Sequence, residues 1–246
     1  MHHFDTHNFS KVVTATSRIL REISEGGFKL NVGSVPLDKA REFAESKISD
    51  LDKVLPDFNK NYSALQKITK SALNVPRVEM PVIEPEDMKV FADRLKSGRI
   101  DIFRPFAKGN APQFSPDKWH RLDKAEGDEW VELGIHDGKK EDDIVKAVSG
   151  KTSGKVLKPT QNQIWLEKLI GNIAKFGVPK TGSPVLSTPI IVSADGFILD
   201  GHHRYGQIML TNPALKLKSL RIPLDIKLLL KVSRTYAGSI GHEPKA

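Results

Sequence analysis

Apolar positions along this chain follow two regimes that meet near residue 156. Before it they recur mainly at helical spacing. Val12, Val13, Ile19, Leu20 and Ile23 predict an amphipathic helix over 10–24, ended by Gly26-Gly27. Pro36 opens a second helix over 36–50, whose stripe is Ala40, Phe43, Ala44 and Ile48. A short third is expected over 62–73. The segment between Pro76 and Pro85 carries Val78, Met80, Val82 and Ile83 and reads as extended. It leads into a helix with Pro85, Glu86 and Asp87 in its first turn, Met88, Phe91, Ala92 and Leu95 on one face, and Gly98 as its stop. Ile100 to Phe103 has strand character, and the Pro-, Gly-, Asp- and Lys-rich residues 104–128 predict a long loop. Within that loop Trp119, His120 and Arg121 would either cover a ligand or simply pack. Trp130 to Gly134 is a short apolar piece. Glu141, Asp142 and Asp143 suit the start of a helix over 144–148 and lack the spaced oxygens of an EF-hand. Ser149 to Lys155, small, polar and basic, reads as a linker.

From Val156 the pattern tightens. Val156-Leu157 predicts a strand that breaks at Lys158-Pro159-Thr160-Gln161. Ile164, Leu166, Leu169, Ile170 and Ile173 then make a helix closed by Gly177, and Pro179 to Pro189 is a loop. Pro189 to Val192 is a β-branched run fit for a buried strand; Asp195-Gly196 turns the chain, and Phe197-Ile198-Leu199 resumes the strand. Asp200-Gly201-His202-His203-Arg204 follows at once, and Tyr205, Ile208, Met209 and Leu210 continue at helical spacing to the stop at Thr211-Asn212-Pro213. Ser219 to Leu224 predicts another strand, 225–232 a strand or a helix, and the tail from Ala237 disorder. The expected class is α+β. A mainly helical region spans 1–75, a mixed α/β segment with the long loop spans 76–150, an α/β unit spans 151–236, and a flexible tail spans 237–246.

Composition narrows the function. With 39% hydrophobic and 28% charged residues, and no run approaching the ~20 apolar residues of a membrane span, a soluble protein with no membrane partner is expected. The first residues lack a basic stretch followed by an apolar one, so no signal peptide is expected and the cytoplasm is the default location. The chain has no cysteine, which excludes disulfides, a thiol nucleophile and thiolate metal sites. His2, His3 and His7 lie at the terminus, where histidines rarely form a site. The net charge of +8 is unevenly spread: residues 151–246 hold 14 Lys/Arg against 5 Asp/Glu, and residues 1–150 hold 24 against 25. All the excess positive charge accompanies residues 200–204. It suits a polyanionic ligand, nucleotide or nucleic acid, or serves solubility alone.

The candidate chemistry lies in residues 200–204. A hairpin that runs through a glycine straight into a helix aims the first backbone N–H groups at one point, where an anion is favoured. Arg204 adds a forked cation for a phosphate or carboxylate. His202 and His203 could exchange protons near neutral pH, and Asp200 could hold Mg²⁺ or act as a base. Adjacent histidines do not share a helix face, so the pair is a poor metal site on its own. The plainer alternative is that Asp200 caps the helix, Gly201 makes the turn and the remaining side chains are solvated. Gly150-Lys151-Thr152 lacks the earlier glycine and spacing of a P-loop.

The order of these parts from about Val156 to Leu230 resembles the ParB/sulfiredoxin superfamily. A strand enters a Pro-x-Gln turn at Pro159-Thr160-Gln161, a helix ends at Phe176-Gly177, a strand-turn-strand reads IIVSADGFILD, and the signature box is DGHHRY. ParB nucleotide-binding domains carry a Gly-Glu-Arg-Arg-type box there, and sulfiredoxins a Gly-Gly-Cys-His-Arg-Tyr box. The resemblance covers roughly a third of the chain and extends to phage ParB-like proteins, in which case the location would be the host cytoplasm. His202 stands where sulfiredoxin needs its cysteine, which excludes that activity. Only 15 residues follow Lys231, too few for the DNA reader of a partitioning ParB, so that function is not expected. Free serine kinases use a similar Asp-Gly-His-x-Arg box, and other relatives are described as ParB-like nucleases. The resemblance implies a nucleotide-binding enzyme, of kinase or NTPase type, using ATP, ADP or another nucleotide with Mg²⁺. Gly201, His202, His203 and Arg204 would hold phosphates, Gln161 would bind the ligand from the facing turn, and Asp200 would hold Mg²⁺. Catalytic roles would fall to Asp200, His202 and His203. The alternatives are a ParB-like nuclease with DNA as partner, and a phage structural or assembly protein that keeps the fold without chemistry. Homo-oligomerisation is left open.

Overall fold

The computed structural model describes residues 29–100, 102, 140–239 and 242. Five short strands form one mixed sheet: β1 (Val148–Ser153), β2 (Lys158–Pro159), β3 (Ile190–Ser193), β4 (Phe197–Asp200) and β5 (Lys216–Ile222). Their order across the sheet is β1-β5-β3-β4-β2. β5 lies antiparallel to β1 and parallel to β3, β3 antiparallel to β4, and β4 parallel to β2. Seven helices accompany them: α1 (Leu37–Lys47), α2 (Leu51–Val54), α3 (Phe58–Lys70), α4 (Pro85–Lys96), α5 (Leu166–Phe176), α6 (His202–Thr211) and α7 (Ile226–Ser239). The protein is α+β.

The unbroken apolar run of β3 has a direct cause: both faces of the central strand are covered. Ile190 and Val192 face one way and pack with Ile198, Leu217 and the buried side of α1, α3, α5 and α6. Ile191 faces the other way, with Leu199, Ile222, Phe91 of α4 and Leu229 of α7. The stripes expected for 36–50 and for the helix after Pro85 are the faces that enter these two cores, through Ala40 and Ala44 and through Phe91 and Leu95. α3 begins at Phe58, four residues before the expected start, and its ring stacks on Tyr62 at a centroid distance of 5.8 Å.

α3 does more than add apolar surface. Asn61, buried, donates its amide to the carbonyls of Leu210 at 3.1 Å and Thr211 at 3.4 Å, in the last turn of α6. These carbonyls have no partner within their own helix. Tyr62 donates its hydroxyl to Val35 O at 2.7 Å, anchoring the turn before α1. Glu167 at the start of α5 accepts from Leu30 N at 2.9 Å, and Leu166 N donates to Leu30 O at 2.6 Å.

Several expectations are corrected. Glu141, Asp142 and Asp143 do not open a helix over 144–148: Lys140–Asp143 is a 3-10 turn, and Asp143 is buried and accepts from Ile102 N at 2.9 Å. The linker expected at 149–155 is strand β1. It lies at a sheet edge with most of its residues exposed, so its pairing is made by backbone groups and leaves no apolar alternation in the sequence. The strand expected at Val156-Leu157 is displaced: 154–156 form a 3-10 turn, and β2 starts at Lys158 and uses Pro159 at the opposite edge, where a missing N–H is tolerated. Ile100 and Ile102 are buried in the second core at bends, not in a strand. Residues 226–239 are helical, and Ala237, expected to start a disordered tail, is buried. The helix expected over 10–24, the three terminal histidines, the loop over 104–128 and the piece from Trp130 to Gly134 lie outside the described residues. Among the described residues no helix is long and apolar enough to cross a membrane.

Asn61→Ala should leave two carbonyls of α6 unpaired and cost about 1–3 kcal/mol in urea denaturation. Asn61→Asp should cost more, because a carboxylate would face the same two oxygens.

Candidate anion site

β4 passes into α6 through a single residue. Gly201 has φ +104°, a backbone conformation that L side chains avoid, and a Cβ there would overlap Ile190 Cγ2. This tight junction places Asp200 at the end of a strand and residues 202–204 in the first turn of a helix. The N-cap residue is Gly201 itself, which has no side chain to cap the helix. The first N–H groups of a helix lack partners within it, and those of α6 start at the wall that Gly201, His202, His203 and Arg204 lend to a cavity.

The two histidines turn inward. His202 is 4% exposed, and its Nε2 accepts from the backbone N–H groups of Thr160 at 3.0 Å and Gln161 at 3.1 Å. His203 Nε2 accepts from Trp165 N at 3.1 Å. Accepting at Nε2 requires a neutral ring with its proton on Nδ1. Burial pushes the His202 pKa down to about 3, and neighbouring His203, Arg77 and Arg204 add to the shift. Burial does the same for His203, also to about 3, with Lys168, Arg77 and Arg204 contributing. Neither ring exchanges a proton through Nε2 near neutral pH, so any proton transfer would have to run through Nδ1. Their evident work is positional: they tie the turn after β2 and the start of α5 to the first turn of α6. Gln161, buried, is held in that turn and donates its side-chain amide to Gln163 O.

Arg204 reaches back one turn. Its Nη2 donates to Asp200 Oδ2 at 2.9 Å and to Pro189 O at 3.0 Å, while its Nε is buried without a partner among the described residues. The guanidinium expected to reach outward for an anion is thus pinned between strand end and helix, with its position set in advance.

The second guanidinium has no counterpart in the residues singled out from the sequence. Arg77 lies in a 3-10 turn (Arg77–Glu79), positioned by its own N–H, which donates to Gln163 Oε1 at 2.8 Å. Its Nη1 is buried with no hydrogen-bond partner among the described residues, and burial lowers its pKa. The one local signal for Arg77 is slight: it is a basic residue directly after Pro76 in a proline-bounded extended segment. The chain beyond it, Met80 to Glu84, roofs a cavity of about 180 Å³ whose walls carry Arg77, Gln161, Asp200, His202, His203 and Arg204. α7 and His242 hold that roof: Arg234 Nε donates to Glu79 O at 2.7 Å, and the His242 ring bonds Val82 O at 2.9 Å.

All six residues expected at the site thus line one cavity, including Gln161, which is 43 residues from Arg204 in the chain but shares its wall. Asp200 and Glu84 are the carboxylates that line the cavity, and Asp200 Oδ2 accepts from Arg204 Nη2. Among the described residues no group of three His, Asp or Glu side chains could hold a metal by itself. Mg²⁺ is commonly held by one or two carboxylates together with substrate phosphates, so a fit here needs a phosphate ligand to supply the remaining oxygens. A scan against protein-family models and searches of curated proteins and solved structures match nothing to this chain.

Because the histidines must stay neutral to accept these N–H groups, the unfolded chain binds protons that the folded one refuses. Their contribution to stability should be present above pH 6.5 and be lost as pH falls toward about 3. Urea titrations across that window should show a steeper loss for wild type than for His202→Gln. Gly201→Ala should destabilise by roughly 2–5 kcal/mol, the sum of left-handed strain and overpacking against Ile190, read by thermal melts.

Proposed function

We propose that this protein binds a nucleotide by its phosphates in the cavity before α6 and transfers or hydrolyses a phosphoryl group. The observation that carries this is the Arg77 guanidinium, whose Nη1 is buried with no hydrogen-bond partner among the described residues, in a cavity that Arg204 and the first turn of α6 also line. A buried charge is costly unless paired, and an arginine cannot escape by losing its proton. An anion is the natural partner. The Asp-Gly-His-His-Arg box, in its resemblance to the ParB/sulfiredoxin superfamily, makes nucleotide phosphate the anion of choice.

The residues divide the work. The N–H groups of α6 and the Arg77 guanidinium receive phosphate oxygens, and Arg204 stabilises charge that develops on them. Phosphoryl transfer depends mainly on such positioned positive charge. His202 and His203 fix the wall. Asp200 would either meet Mg²⁺ that arrives with the nucleotide or accept the proton of the attacking hydroxyl, and its hydrogen bond from Arg204 fixes its orientation. Mg²⁺, when bound, would neutralise phosphate charge.

Calorimetric titration of ATP and ADP, with and without Mg²⁺, tests this directly. Arg77→Ala and Arg204→Ala should each weaken binding about ten- to a hundredfold, equivalent to roughly 1.5–3 kcal/mol. Arg204→Lys should not restore wild-type affinity, since an ammonium cannot bond Asp200, Pro189 O and a phosphate in one plane. The two alanine variants should differ in the ligand-free protein. Arg77→Ala should leave stability equal or raised, because it removes a half-buried guanidinium whose Nη1 has no partner among the described residues. Arg204→Ala should lower it by breaking the bonds to Asp200 and Pro189. Equal nucleotide affinity in wild type and both alanine variants would remove the cavity from the function.

A further inference from the structure

β1 and β5 bring lysines together at the edge of the sheet. Lys151 of β1 is paired in register with Lys218 of β5, and Ser153 with Lys216. Residues directly opposite in an antiparallel pair lie with Cβ atoms about 4.5–5.5 Å apart, and like charges there are destabilising. All three lysines are exposed. None of them forms an ion pair with a described residue, and each borders one hollow of about 430 Å³. Thr181, Ser183 and Ser187 border it as well, and no carboxylate does. This hollow shares no lining residue with the anion cavity.

A sheet edge that keeps two lysines face to face, with no acid to compensate them, maintains a repulsion that an alternating pattern of charge would have avoided. We propose that this hollow is a docking groove for the phosphodiester backbone of a nucleic-acid strand. Lys216 and Lys218 project from the same face of β5 about 6.7 Å apart along it, a step suited to successive phosphates of an extended strand. Lysine ammoniums and hydroxyls are the groups that contact phosphate and sugar without reading bases, so the groove is indifferent to sequence. An anionic membrane is a poorer fit: the surface is concave, and its larger apolar residues, Leu186 and Leu215, are partly buried in the core beneath.

The experiment is a salt titration of binding to a short fluorescein-labelled single-stranded DNA, followed by anisotropy. It compares wild type with the triple variant Lys151→Gln, Lys216→Gln, Lys218→Gln. Three phosphate contacts should give a log–log slope of about −2, from about −0.7 per contact on single strands. The triple variant should bind at least tenfold more weakly at low salt and lose most of that slope. Its thermal midpoint should be unchanged or raised, since the substitution relieves repulsion and touches no core residue. Wild type that fails to bind, or a triple variant with wild-type affinity and slope, overturns the proposal. Lysine-dependent binding that is tighter to phosphatidylserine vesicles or to poly-glutamate than to the DNA overturns it in favour of those partners. Nucleotide titration into the same variant reads the box separately and should be unaffected, so failure of one site is visible independently of the other.

Discussion

Two backbone N–H groups donating to one buried imidazole nitrogen hold the wall of the candidate anion site together. His202 Nε2 receives Thr160 and Gln161, joining the turn after β2 to the first turn of α6. The bond has demanding conditions. The ring must be neutral, its Nδ1 must carry the proton, and the helix must start immediately after β4 so that residue 202 points into the protein. Gly201 meets the last condition, because at φ +104° and against Ile190 no side chain fits. A neutral histidine amid Arg77, Arg204 and Lys168 also keeps the wall of the cavity from adding charge of its own. The positive potential there comes from guanidiniums and helix N–H groups, whose protonation does not vary near neutral pH.

From that point the structure builds outward in both directions. α5 is attached through His203 and Trp165 N, and α3 through Asn61 and the last turn of α6. α6 is therefore held at its first turn by the histidines and at its last by α3, while Ile208 and Leu210 fill the core between. On the far side of the sheet, α4 and α7 pack on Ile191, Leu199 and Ile222. These two helices also flank the chain that crosses the cavity. Residues 77–84 precede α4, and Arg234 of α7 bonds to Glu79 O. The segment before the resembling part of the chain thus contributes a wall and a cation to the site. The opposite edge of the sheet, where β1 meets β5, is far simpler: backbone pairing, solvent and lysine.

Much of this was legible from residue order because the physics involved is local. A β-branched run between a proline and an Asp-Gly turn can scarcely be anything but a buried strand, and β3 is that strand. Glycine after a strand and before helical spacing gave the place of α6, and the residues DGHHR therefore line a cavity at a helix start. Apolar stripes at helical spacing located α1, α4 and α5. The misread pieces share a cause as well. β1 has no apolar alternation because one edge and most of its surface meet water, so its small and basic residues read as a linker. Asp143 looked like one of three helix-starting acids, whereas burial against Ile102 N uses it as an acceptor instead.

By itself the sequence determined the α+β class, the helix–strand order around residues 156–222, the exclusion of thiol chemistry and the concentration of positive charge in residues 151–246. Those follow from period, turn chemistry and counting, which need no knowledge of distant neighbours. Only the tertiary structure decided what the charged and titratable side chains do. The histidines became hydrogen-bond acceptors once two other segments supplied N–H groups to them. Arg204 became half of an ion pair with Asp200. Arg77, unremarkable in its own stretch, became a cation of the site because Pro76–Glu84 runs across the start of α6. Protonation, pairing and access are properties of a side chain's surroundings, and those surroundings come from residues far away in the chain.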